Sequence, residues 1–197
     1  MPALRSSRLV ALAVLALTAV ALLVGHRPSL PPLQAQTPTL APYVPTPDDV
    51  VDRMLAFANV GKNDVVYDLG CGDGRIVIAA ARKYGARGVG IDIDPDRIAE
   101  SEANAKRAGV ERLVKFRLQD ALTADVSDAT VVTLYLLSSS NMKLRPLLTR
   151  QLKPGSRIVS QSFGMGDWTP EKIDEFKDGN GTARKLFLWT ADGTVRP

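Results

Sequence analysis

The stretch Val65-Val66-Tyr67-Asp68-Leu69-Gly70-Cys71-Gly72-Asp73-Gly74-Arg75 decides the fold. The β-branched run from Asp64 to Asp68 predicts a short strand. Three glycines in five residues then allow a tight turn and let a ligand approach bare backbone. A helix predicted over Arg75 to Tyr84 offers unpaired N–H groups at its start. Strand, glycine loop and helix together open a nucleotide-type cofactor site. A dinucleotide fingerprint reads G-x-G-x-x-G. Here the third glycine comes one residue early, and Arg75 stands where that glycine is expected. Asp68 lies two residues before the first glycine, a poor neighbour for a pyrophosphate and a good one for a cationic aminoacyl sulfonium. Taken alone, the loop also fits a tight turn with no ligand.

On either side of this stretch, strand and helix patterns alternate. Upstream, Thr46 is expected to cap a helix that begins at Pro47, with Asp48 and Asp49 in its first turn. Downstream, strands are expected at Gly88–Asp92, Leu113–Leu118, Ala129–Leu136 and Arg157–Phe163. Helices are expected from Pro95 to Ala108 and from Asn141 to Leu152. Ile173–Phe176 and Arg184–Thr190 flank Asp178-Gly179-Asn180-Gly181, a hairpin signal. The expected architecture is α/β: a doubly wound, mostly parallel seven-stranded sheet with an antiparallel C-terminal hairpin. Ligands of such sheets bind beyond the carboxyl ends of the strands. Two further carboxylates fall there. Asp92, in Gly90-Ile91-Asp92-Ile93-Asp94, is placed to bind a ribose hydroxyl pair. Asp120, after Gln119, is placed to accept from an adenine amino group.

Composition narrows the chemistry. Hydrophobic residues make up 45% of the 197-residue chain and charged residues 23%, as in ordinary globular proteins. Cys71 is the only cysteine, and His26, the only histidine, lies outside the expected domain, which excludes a Ser-His-Asp triad, a Cys-His pair and a multi-histidine metal site. The net charge of +4 is scattered, with no basic run of the kind that binds nucleic acid. Leu9 to Val24 is apolar apart from Thr18 and follows Arg5 and Arg8, the layout of a secretory signal, a membrane anchor or an organelle-targeting segment. The expected organisation is an apolar leader over residues 1–25, a proline-rich linker over 26–45 and one domain over 46–197. The leader implies a membrane-associated or exported protein, and the charge before it favours export of the domain.

The first motif resembles that of the class I S-adenosylmethionine-dependent methyltransferases. The segments Pro42-Tyr43-Val44-Pro45-Thr46-Pro47, Ala129 to Leu137, Asn141 with Leu144-Arg145-Pro146, and Leu152-Lys153-Pro154-Gly155 are similar to small protein-lysine methyltransferases of archaea, bacteria and mitochondria. The resemblance implies a Rossmann-like fold with S-adenosyl-L-methionine as cofactor. It implies that Asp68, Gly70 and Gly72 cradle the methionine part, Asp92 the ribose, and Asp120 with Gln119 the adenine. It further implies that Tyr43 and Thr46 fold over the cofactor and that Tyr135 faces the methyl group as the catalytic-site residue. A protein lysine is the implied partner. Tyr43 also reads as a hydrophobic staple for the first helix, and Tyr135 as a core aromatic. Methyltransferases acting on planar nitrogens often carry Asn-Pro-Pro-Tyr after the fourth strand. Here Leu-Leu-Ser-Ser stands there, which argues against adenine-N6 or glutamine acceptors. A small-molecule or lipid-linked acceptor and a non-catalytic binding module remain as alternative functions.

Overall fold

The computed structural model describes residues 39–197. Strand β1 (Val65–Leu69) leads through the glycine loop into helix α2 (Arg75–Tyr84). Before it lies α1 (Asp48–Phe57). After it come β2 (Arg87–Asp92), α3 (Pro95–Ala108), β3 (Val114–Leu118), β4 (Val131–Leu134), α4 (Ser138–Gln151), β5 (Arg157–Gln161), β6 (Lys172–Lys177) and β7 (Ala183–Thr190). The seven strands form one sheet in the order β3-β2-β1-β4-β5-β7-β6. β1 to β5 pair in parallel, while β7 runs antiparallel to both β5 and β6. The chain therefore winds outward from β1 in both directions, and the order reverses between β1 and β4. A ligand crevice opens at such a switch point.

Each face of the sheet buries one apolar layer. Val50, Val51, Met54 and Leu55 of α1 join Ile76, Val77 and Ala80 of α2 on one side. Leu144 and Leu148 of α4 pack with Leu134, Ile158 and Trp189 on the other. Local signals fix the helix ends. The Asp94 carboxylate accepts from the Asp96 N–H (2.8 Å) at the start of α3, Pro95 takes the first position, and Gly109 closes the helix in the left-handed region. In the hairpin turn, the Asp178 carboxylate accepts from the N–H groups of Asn180 and Thr182.

Three expectations are corrected. α1 begins at Asp48 and has Pro47, not Thr46, at its cap, with no side-chain hydrogen bond there. The Thr46 hydroxyl donates instead to Gln161 Oε1 (3.1 Å), deep in the molecule. β4 and β5 are shorter than expected, because pairing ends at Leu134 and Gln161, where the chain leaves the sheet at Tyr135 and at Ser162 with its φ of 65°. The expected membrane association or export is also corrected. Among the described residues no helix is long and apolar enough to cross a membrane. The two longest have 14 residues, about 21 Å against roughly 30 Å of hydrocarbon. The apolar run Leu9–Val24 lies outside the described residues.

Candidate active site

The glycine loop is tied to β2 through backbone and side chain alike. Gly70 and Cys71 both donate to the Ile91 carbonyl (2.8 and 3.0 Å). The Asp92 carboxylate accepts from the Gly72 N–H (2.8 Å) on one oxygen and from the Asp94 N–H (3.0 Å) on the other. Gly70 and Gly72 have φ of 81° and 53°, values that penalise any side chain. A Cβ on Gly70 would lie 2.9 Å from Leu136, and one on Gly72 would run into the Tyr43 ring.

Asp68 stands at the floor, 3% exposed. Its register neighbours are Gly90 on β2 and Thr133 on β4. The Thr133 hydroxyl donates to its Oδ1 (2.7 Å). Burial pushes the Asp68 carboxyl up to about 7, and the nearby carboxylates of Asp92 and Asp73 add to this against the Thr133 hydrogen bond. The Cys71 thiol is also pushed up by burial, then by Asp68 and Asp92, which removes it from thiolate chemistry.

Residues 39–46 cross above the loop as a strap with an anchor at each end. The Ser140 hydroxyl donates to the Leu40 carbonyl at one end. At the other, Thr46 bonds Gln161, and Arg75 Nη1 donates to the Thr46 carbonyl (2.8 Å). Arg75 is itself held by Asp73 through Nε and Nη2, 2.6 Å at the closest. Burial raises the Asp73 carboxyl, but this guanidinium outweighs it and holds the group below the usual carboxylate range. In the middle of the strap, the Tyr43 ring covers Gly72 and carries the Arg97 guanidinium 4.5 Å from its centroid.

Loop and strap enclose a cavity of about 200 Å³. The structure gathers Tyr43, Thr46, Asp68, Gly70, Gly72, Asp92, Asp120 and Tyr135 around it. Gln119 is not among the residues lining it. Its amide is turned away to the Thr123 carbonyl (3.1 Å), while its N–H donates to the Asp92 carbonyl (2.9 Å). Asp120 caps a short 3-10 turn over Ala121–Thr123 through the Leu122 N–H (2.9 Å), which leaves its second carboxylate oxygen for a ligand. Five aspartates line the cavity against two arginines. Both arginines are engaged, Arg75 by Asp73 and Arg97 by Glu100. This donor set fits a cation with ribose and adenine attached. It does not fit a ligand led by phosphates.

Sequence reasoning missed what stands behind Thr46 and Tyr135. Gln161 is fully buried and supports the strap through Thr46. Phe163 stacks against Tyr135, with centroids 6.4 Å apart and planes inclined at 28°. A polar residue closing the apolar strand Ile158-Val159-Ser160-Gln161 was the one available signal.

The chain has relatives of known name. Residues 68–172 match the model of the ANTKMT methyltransferase domain. A protein-lysine N-methyltransferase of Saccharolobus islandicus is 46% identical over 140 residues, which cover 71% of this chain and 87% of that protein. The adenine nucleotide translocase lysine N-methyltransferase of Mus musculus is 30% identical over 161 residues, which cover 82% of this chain and 65% of the mouse protein. A crystal structure of an RNA methyltransferase from Salinibacter ruber in complex with S-adenosyl-L-homocysteine superposes with a TM-score of 0.73 at 54% identity. The match covers 78% of this chain and 97% of that one. The chain belongs to the class I protein-lysine methyltransferase family, and its cofactor is S-adenosylmethionine.

Proposed function

We propose that this chain transfers the methyl group of S-adenosylmethionine to the ε-amine of a protein lysine. The observation that carries this reading is the charge of the cleft, five aspartates against two engaged arginines. Donor sulfonium and acceptor ammonium are both cations, and a carboxylate-lined site attracts both. The archaeal relative, 46% identical, is named for the same reaction.

Bound in the cleft, the cofactor supplies an electrophilic methyl group, which an acceptor lone pair takes in one in-line displacement while the C–S bonding pair stays with sulfur. The chain's own residues hold and align. Asp68 takes the cofactor's ammonium, and the left-handed Gly70 and Gly72 open room for its amino-acid end. Asp92 binds the ribose hydroxyls while it keeps the Gly72 N–H in place. Asp120 accepts from the adenine amino group. Tyr43 and Thr46 cover the cofactor, and Tyr135 positions the acceptor. Alignment of this kind lowers a barrier by several kcal/mol without any nucleophile from the protein. A lysine must shed a proton before it reacts, which at pH 7 costs about 5 kcal/mol from a free value near 10.4. Partial burial lowers the amine's proton affinity and so reduces that cost, against the cleft carboxylates, which raise it. The proton leaves to water at the mouth.

RNA is the second reading, because the Salinibacter relative is named an RNA methyltransferase. The same cleft charge disfavours it, since RNA binding needs free cations for phosphates. Incubation of the purified chain with tritiated cofactor and, separately, with total protein and total RNA tests both. Label in lysine of hydrolysed protein is the expected result, and label confined to RNA refutes the lysine reading.

A further inference from the structure

We propose that Phe163 and Tyr135 form an aromatic wall for the acceptor amine, and that Phe163 determines how well its methylated forms are held. This inference rests on the lysine reading above. Tyr135 follows β4 and lines the cofactor cleft. Phe163 follows β5, the neighbouring parallel strand, so both rings stand at the same edge of the sheet. Gln161, two residues before Phe163, bonds Thr46 of the cleft lining. The end of β5 therefore backs directly onto the site.

The loop that presents Phe163 is held far more firmly than a half-buried ring requires. Ser162 adopts φ 65°, a conformation rarely tolerated outside glycine. Its N–H donates to the Lys185 carbonyl (2.8 Å). The Phe163 carbonyl accepts twice, from the Ser160 hydroxyl (2.6 Å) and from Asn141 Nδ2 (3.1 Å). Asn141 is fully buried and also reaches the Gly164 carbonyl (3.3 Å). The Phe163 N–H turns back to the Gln161 carbonyl (2.8 Å). Two side chains, one from α4 and one from β5, thus fix the backbone beside the ring, while the ring itself stays accessible and stacked on Tyr135. Strained backbone held by its surroundings in this way marks functional positions.

The two rings stack with centroids 6.4 Å apart and planes inclined at 28°, and a cation over the open face of either ring falls within about 6 Å of its centre, the range over which aromatic faces attract positive charge. A neutral amine gains little from such a wall. A methylated ammonium is weakly hydrated, spreads its charge over its methyl groups and gains most. The wall therefore favours re-binding of mono- and dimethyl-lysine, and so repeated transfer to one amine.

The test uses the full chain saturated with S-adenosylhomocysteine and titrated calorimetrically with butyltrimethylammonium, the side chain of trimethyl-lysine without its backbone. Phe163→Leu keeps the apolar bulk and removes the ring face. It should weaken butyltrimethylammonium about tenfold, the 1.4 kcal/mol of one ring, and leave S-adenosylhomocysteine affinity within about twofold of wild type. Phe163→Tyr should restore binding to within about threefold of wild type. In protein hydrolysates, Phe163→Leu should lower the ratio of trimethyl- to monomethyl-lysine. Equal butyltrimethylammonium affinity in wild type and Phe163→Leu, or a wild-type product restricted to monomethyl-lysine, overturns the inference while lysine labelling stands. Label confined to RNA in the wild type overturns the lysine reading and this inference with it.

Discussion

Asp68→Asn should strengthen the empty domain and cripple it as an enzyme. In the cofactor-free protein, burial pushes the Asp68 carboxyl from 3.8 to about 7. The folded value lies above the unfolded one, so its contribution to stability is complete below pH 4 and is lost as pH rises through 7. By linkage, burying that carboxyl costs the folded state about 4 kcal/mol at pH 8, where it is ionised, and about 2 kcal/mol at pH 5, where it is held protonated. Asparagine keeps an oxygen for the Thr133 hydroxyl and carries no charge. The variant should therefore unfold at a higher temperature than wild type at pH 8, by several degrees at about 2–4 °C per kcal/mol, with the gap roughly halved at pH 5. Cofactor binding should respond in the opposite sense. The ammonium of S-adenosylhomocysteine needs the ionised carboxylate, so wild-type affinity should fall about tenfold from pH 8 to pH 6. The variant should bind weakly and without that slope. Differential scanning calorimetry of the empty protein and titration calorimetry across pH 6–8 read both effects. A variant less stable than wild type at pH 8, or one that binds with an unchanged pH slope, refutes the assignment of the raised group to Asp68.

Other positions separate loop, ribose site and scaffold. Gly72→Ala places a methyl group against the Tyr43 ring at a backbone φ of 53°. It should weaken S-adenosylhomocysteine at least tenfold by calorimetry, and adding Tyr43→Ala should recover part of the loss. Asp92→Asn faces two N–H donors with a single carbonyl oxygen, so cofactor affinity should drop about 10- to 100-fold, as one charge-assisted hydrogen bond and a ribose contact are lost. Arg157→Met removes the pair with Asp64 and two donations, to Ala58 and Asn59 carbonyls (2.7 and 2.8 Å). Denaturant unfolding should show a loss of about 2–3 kcal/mol, with cofactor affinity intact.

How much of this was legible in the sequence depended on the range of the interaction. α3 occupies the expected Pro95–Ala108 because Asp94, Pro95 and Gly109 act within a turn of themselves. Asp68, Asp92 and Asp120 could be placed at strand ends because alternation of strand and helix dictates which end faces the crevice. The Thr46 cap failed for the opposite reason. Its hydroxyl is engaged by Gln161, 115 residues away, and no local pattern encodes that. Gln119 was placed on the correct loop, but the direction of its amide depends on the 3-10 turn behind it. Phe163 carries no motif at all. Its part is visible only when β4 and β5 lie side by side.

The strap also sets the timetable of the molecule. Synthesis delivers Leu40 and Thr46 before every partner that pins them, with Ser140 and Gln161 following 100 and 115 residues later. Closing loops of that length is entropically slow. A nascent chain that already contains the glycine loop, β2 and Asp120 has Arg75 to hold the Thr46 carbonyl but still lacks Ser140 and Gln161. Tight cofactor capture should thus wait until β5 has been made, so that ligand affinity in a series of ribosome-stalled chains reports the arrival of Ser140 and Gln161.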